Sequence, residues 1–400
     1  GKHIPNGDAT YIKAMRAIAR RCKRDRREED IQRYIDMLLH VRDQHMSINW
    51  YHGRGFATSI LFMREILKER GLMDVALDYL KETYRFPRIY DVTSCNGVAG
   101  KRFEDTDVIG MDLPSLLVCV LLMENSPEKV RDMYHFIDYV EHTCLSYAPG
   151  LASGYKPDGT AFHHCGYITQ YATVSNYSLA RVIYMLSDSV FQISPEALAR
   201  FRKTLETNFF IYNGCYEIFA LAQYFFNDKK SVAVLDMAHF ANAVHDKEMA
   251  GMFLRAAQSA NNETQSANYQ KFTAKGILPA EYPEGHKTLT YSAAAVHRRK
   301  GWMAAVKGYS KYVYSMEVWP DEIGAGSRYS AFSLFRSFGF LELLGEPSAE
   351  AGNNNGIHID QGFDYCRWSG STALKLPYAQ IKSRVNYVEE ERAEWLFSDQ

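Results

Sequence analysis

From Asp8 to about Asn261 the apolar residues of this chain return at intervals of three and four, and that pattern commits the first two thirds of the molecule to amphipathic helices packed on one another. Helices are expected over roughly 8–24, 29–44, 56–70, 73–86, 112–124, 127–147, 174–187, 195–209, 215–226, 230–245 and 247–259. Asp112 with Pro114, and Ser194 with Pro195, supply N-cap and first-turn proline signals. Short connections make consecutive helices antiparallel neighbours, and so many of them predict a curved, layered array or an incomplete toroid rather than one bundle.

After about Thr273 the period falls to two. Strands are expected over 292–298, 302–309, 329–336, 338–344 and 372–376, with a hairpin turn over His297 to Gly301 and breaks at Asn353 to Gly356 and Trp368 to Gly370. The fold class is therefore α+β and multidomain: a helical domain over 1–272, then an antiparallel β-sandwich over 273–400 whose remaining strands are expected beyond Gln400. Clefts favour such junctions.

Partners follow from charge. A formal net charge of −1 gives no global attraction to nucleic acid or to an anionic membrane, so any polyanion must be gripped locally. Cys22, Cys95, Cys119, Cys144, Cys165, Cys215 and Cys366 form no Cys-x-x-Cys pair, which argues against a zinc ribbon and a disulfide framework. Neither a signal peptide at Gly1-Lys2-His3 nor a membrane-spanning apolar run is present.

Chemistry concentrates between Tyr155 and Tyr171. Lys156-Pro157-Asp158-Gly159 is a turn signal, and behind it come His163, His164, Tyr167 and Tyr171, just before the helical period starts near Val174. Adjacent histidines on regular structure point apart and no His-Glu-x-x-His is present, so no metal site is expected. Walker and dinucleotide-binding loops are absent, and Cys165 reads as an inert thiol. A histidine with a tyrosine seven residues on suits proton transfer at carbon, namely removal of a proton α to a carboxylate whose charge hydrogen-bond donors have masked. A second connector, between Pro87 and Asp112, is long and polar and carries Asn96.

Asp158-Gly159-Thr160-Ala161-Phe162-His163-His164-Cys165-Gly166-Tyr167 with Tyr171 resembles polysaccharide lyase family 8, within it the chondroitin sulfate ABC lyases. The likeness continues at Val296-His297-Arg298, Ser315-Met316-Glu317, Ser327-Arg328-Tyr329 and Gln361 to Thr372, in one order from about residue 47 to the end. The resemblance implies an incomplete α/α toroid joined to β-sandwich domains, with a glycosaminoglycan in the cleft and β-elimination as the reaction. It implies His164 and Tyr171 as catalytic histidine and tyrosine and Glu317 as the acid from the sheet domain. Asn96 and Asn49 both remain as neutralisers of the sugar carboxylate. Trp50, His52, Arg54, His163, Gln223 and Arg328 are the substrate-contacting candidates. His163 and Gln223 stand where the ABC branch has arginines, which points to a less sulfated or different polymer. No cofactor is required, calcium in the sheet domain is left open, and the family places the protein outside the cell or in the periplasm. Two other readings remain, an inactive carbohydrate-binding protein and a glycoside hydrolase; the latter needs paired carboxylates, which Glu317 alone does not supply.

Overall fold

The computed structural model describes residues 7–44, 48, 50–91, 94–95, 98–99, 103–163, 166–167, 169–218, 220–221, 234–260, 266–308, 340–356 and 370. Its helices are α1 (Gly7–Asp25), α2 (Glu28–Asp43), α3 (Trp50–Glu69), α4 (Met73–Thr83), α5 (Thr106–Met111), α6 (Leu113–Leu122), α7 (Pro127–Tyr139), α8 (Thr169–Leu186), α9 (Pro195–Ile211), α10 (Leu235–Val244), α11 (Lys247–Ala257) and α12 (Ala267–Ala274). Strands β1 (Ser94–Cys95) and β2 (Val98–Ala99) pair with each other, and β3 (Gly154–Tyr155), β4 (Ala161–His163) and β5 (Gly166–Tyr167) form a small antiparallel sheet inside the helical block. Among the described residues a four-stranded antiparallel sheet follows, in the order β6 (Gly285–Leu289), β7 (Ala294–Arg299), β8 (Trp302–Lys307) and β9 (Phe340–Leu344).

The apolar period explains the helical packing. In α1 the residues Ile12, Met15, Ile18, Ala19 and Cys22 are buried along one face, which lies on α2 and α3. Starts are fixed where a side-chain oxygen meets an orphan amide: Ser126 accepts from Lys129 N ahead of Pro127, Ser194 from Ala197 N ahead of Pro195, and Asp246 from Met249 N. Asp112 departs from expectation, since it precedes α6 without a side-chain cap and turns its carboxylate to Arg88 Nη1 at 3.2 Å. Burial, partly offset by Arg88, pushes that carboxyl up to about 6. Among the described residues no helix is long and apolar enough to cross a membrane.

The expected helix over 215–226 is corrected by the structure in its described part. Asn213 and Tyr216 instead form an isolated bridge, and Asn213 Nδ2 donates to Gly345 O and Asn353 O at 3.0 and 2.7 Å. The sheet block has claimed part of this segment's hydrogen bonds, Glu217 O accepting from Asn353 Nδ2 at 2.6 Å and Ala220 N donating to Glu342 Oε2 at 2.9 Å. Likewise His297 lies within β7, and the turn narrows to Lys300 and Gly301.

The sheet turns an unusual face to the helices. Val296, Ala305 and Glu342 are register neighbours across β7, β8 and β9, all buried, as are Arg298, Met303 and Leu344 in the next row. Glu342 accepts from Ala220 N at 2.9 Å and from Asn355 Nδ2 at 2.9 Å. Arg298 donates through Nη1 to Phe210 O and Tyr212 O, 2.9 and 2.7 Å, at the C-terminal end of α9, and its guanidinium lies 4.5 Å from the centre of the Tyr282 ring. Burial pulls Arg298 down to about 10. Because methionine fills similar space but strands both carbonyls, Arg298→Met is expected to cost roughly 2–4 kcal/mol in chemical denaturation. An unchanged midpoint would mean that the clasp contributes nothing to stability.

Candidate active site

The hairpin leading into α8 is built around its turn. Gly159 N donates to Lys156 O at 3.0 Å, and Asp158 Oδ1 accepts from Thr160 N and Oγ1 at 3.1 and 2.7 Å. The other oxygen, Oδ2, accepts from Tyr291 N at 3.2 Å, so the turn also holds the β6–β7 connection. Lys156 is fully buried, its Nζ donating to Ala148 O and Ala152 O at 3.1 and 2.5 Å and lying over the Phe162 ring. These bonds fix where β4 begins.

The strand β4 then delivers His163. Thr106 Oγ1 donates to Phe162 O at 3.1 Å, which docks the strand on the start of α5. His163 is 7% exposed, with Nδ1 3.1 Å from Asp105 Oδ1 and Nε2 3.4 Å from Asp107 Oδ2. Asp105 is also the N-cap of α5, accepting from Asp107 N at 2.6 Å. Burial works to raise Asp105, but the His163 imidazole and the Asp107 amide outweigh it and hold the carboxyl below its usual range. On its other side the His163 ring meets Tyr171 in the first turn of α8, centroids 4.1 Å apart and planes tilted by 44°.

A buried polar layer supports α8 from below. Tyr155 OH donates to Asn176 Oδ1 at 2.9 Å, Tyr167 OH to Asn208 Oδ1 at 3.1 Å, Thr169 Oγ1 to Glu217 Oε2 at 2.8 Å and Ser178 Oγ to Gly110 O at 2.7 Å. Asp236, wholly buried at the start of α10, is pushed up to about 7 by burial against its bond from Met237 N. The folded state thus binds the proton more tightly than the unfolded one, and this residue's contribution falls as pH rises from about 4 to about 7, by at most roughly 1.4 kcal/mol per pH unit. Asp236→Asn, which keeps an acceptor for Met237 N, is expected to flatten that slope and to raise stability at pH 8. Denaturant titrations across the pH range measure it, and parallel curves for the two proteins would count against it.

Of the residues singled out from the sequence, the structure brings His163 and Tyr171 into ring contact. Trp50, His52 and Arg54 fall at the start of α3. His164, Asn49, Asn96, Gln223, Glu317 and Arg328 lie outside the described residues. Sequence reasoning missed Asp105 and Asp107; an aspartate N-cap ahead of the apolar Val108 and Ile109 was the available signal. Among the described residues no group of three or more His, Cys, Asp or Glu is placed to hold a metal ion.

Residues 9–263 match the family described as "Lyase, catalytic". The chain is 25% identical to a chondroitin sulfate ABC exolyase of Bacteroides thetaiotaomicron, over 94% of this chain and 39% of that protein. Against a chondroitin sulfate ABC endolyase of Proteus vulgaris the identity is 23%, over 92% of this chain and 35% of that protein. The chain thus spans well under half the length of these relatives. Among solved structures, a chondroitin AC lyase mutant of Streptomyces coelicolor A3 superposes with a TM-score of 0.65 at 13% identity, over 92% of this chain and 53% of that one. A Paenibacillus xanthan lyase gives 0.66 at 13% identity, over 93% and 36%. Both likenesses concern the fold.

Proposed function

The chain belongs to the lyase family whose catalytic domain covers residues 9–263, the polysaccharide lyases of family 8, and from that premise we propose that it cleaves uronate-containing glycosaminoglycans by β-elimination. Chondroitin and dermatan sulfate are the first candidates, hyaluronan the next. The observation that carries the reading is Tyr171: a phenol at the entrance of α8, packed on an imidazole held between two carboxylates.

In this reading Asn49 or Asn96 hydrogen-bonds the sugar carboxylate, which makes the α proton acidic enough to remove. Tyr171 takes that proton as a phenolate, with His164 assisting it or acting itself on one uronate epimer. The electron pair of the broken C–H bond forms the new double bond, and the bond to the glycosidic oxygen on the adjacent carbon breaks. Tyr171 then returns the proton to that oxygen. The products are an unsaturated uronate at the new non-reducing end and a free hydroxyl on the departing sugar. Glu317 completes the site from the sheet side, and Trp50, His52, Arg54, Gln223 and Arg328 contact the polymer. The same family reading carries the finer architecture, a toroid over 1–272 and a sandwich from 273, together with action outside the cell or in the periplasm. No step is routed through a metal, and a calcium ion in the sheet domain would be structural.

Incubation with chondroitin sulfate, dermatan sulfate and hyaluronan, followed by the ultraviolet absorbance of the conjugated product, tests the proposal. A rising trace on at least one polymer is expected. A flat trace on all of them, with binding retained, would instead favour a carbohydrate-binding protein without turnover.

A further inference from the structure

We propose that Asp105, Asp107 and His163 form a carboxylate–imidazole clamp that positions Tyr171 for proton transfer, an inference that rests on the reading of Tyr171 as the proton-transfer residue. A partly buried carboxylate, Asp105, and a buried one, Asp107, from one helix start face a single imidazole, one at each ring nitrogen, 3.1 and 3.4 Å away. Each ring nitrogen therefore has a carboxylate of its own within ion-pair distance. The position is therefore matched to a planar ring that can face a carboxylate in each of two directions.

The clamp fixes the ring's orientation as well as its place. Asp105 is held by its capping bond from Asp107 N, and the strand carrying His163 is held by Thr106 through Phe162 O. An imidazole with a carboxylate within ion-pair distance of each nitrogen cannot flip or tilt without losing one of them. Tyr171 packs on that ring at 4.1 Å, so the wall that limits the phenol on the α5 side is rigid. Proton transfer is steep in geometry, and a misplacement of about 1 Å costs on the order of a hundredfold. His163 is thus a positioning residue, with both ring nitrogens turned to protein carboxylates.

The test is His163→Gln and His163→Arg beside an Asp105→Asn/Asp107→Asn double variant, each assayed for kcat and KM on the polymer that the wild-type protein degrades. His163→Gln, which cannot donate in two opposed directions, is expected to lower kcat by about tenfold to a hundredfold with KM within about twofold. His163→Arg, whose fork reaches two carboxylates, is expected to recover most of that loss. An unchanged kcat in His163→Gln, or a raised KM with kcat intact, would overturn the clamp; the latter would make His163 a substrate contact.

A second readout does not need turnover. With ring-labelled tyrosine, the Tyr171 resonance is identified by its loss in Tyr171→Phe and is expected to shift in the double aspartate variant, which leaves the imidazole in place. An unmoved resonance would also overturn the clamp. Wild-type protein inert on every polymer would count against the lyase reading, while the resonance would still decide the clamp.

Discussion

Tyr171→Phe is expected to lower kcat by about 10²–10⁴-fold, the usual worth of a general acid–base group, while KM and the unfolding midpoint stay near wild type. The substitution removes one oxygen and keeps the ring that packs on His163 at 4.1 Å, so the aromatic contact and the entrance of α8 persist. Product absorbance over time on the best polymer gives the rate, and denaturation of the same preparation gives stability. The two effects must separate. Undiminished turnover would remove Tyr171 from the chemistry, and a parallel fall in stability and rate would make it a packing residue. A combined Tyr171→Phe/His163→Gln variant sharpens the point: if His163 acts through Tyr171, the double variant loses no more than Tyr171→Phe alone.

Much of the helical block was legible because its faces are amphipathic: α1, α2, α4, α9 and α11 begin and end close to where the apolar period does. Elsewhere long-range contacts decide. Helix α8 starts at Thr169, five residues before its apolar period, because its polar first turn is anchored by Thr169 on Glu217, far along the chain. Helix α5 was hidden in a connector that reads as polar; it is six residues long, and buried throughout. Strand β6 has one buried residue, Leu289, so its alternation is faint. Cys215 to Ile218 carry a helical pattern but surrender it to long-range hydrogen bonds: Cys215 N donates to Ser259 Oγ, Tyr216 OH donates to Ser348 O, and Glu217 O accepts from Asn353 Nδ2.

The site divides in the same way. The Lys156 to Gly159 turn, the His163 strand and Tyr171 form one local unit and could be read from consecutive residues. Asp105 and Asp107 reach His163 from more than fifty positions earlier, and a pairing of that kind is set by how α5 docks on the hairpin, which single-sequence periodicity does not encode. The resemblance to the lyases supplied collinear motifs on both sides of this gap. It did not supply the two aspartates.

Gly159→Ala is expected to be the most damaging substitution in the hairpin, lowering stability by about 2–4 kcal/mol, since strain and overpacking act together. The backbone there has φ +88°, a conformation that L side chains rarely adopt. An added Cβ would also run into the Thr207 side chain, 2.8 Å from its Cβ, and stand 3.0 Å from Lys203 O on α9. Relief requires the turn to move off α9. Asp158 would move with it, loosening the bond to Tyr291 N that ties the helical block to the sheet, and β4 would carry His163 out of register with Asp105 and Asp107. Turnover is therefore expected to fall along with stability, the opposite of the separation expected for Tyr171→Phe. Adding Thr207→Ala removes the hydroxyl and methyl while leaving the unfavourable φ, so a double-mutant cycle should recover only part of the loss. Full recovery would mean that the Thr207 hydroxyl and methyl alone exclude a side chain, and none would mean that backbone conformation together with the remaining Cβ of residue 207 and Lys203 O does. A Gly159→Ala protein as stable and active as wild type would show that the turn does not set the position of His163.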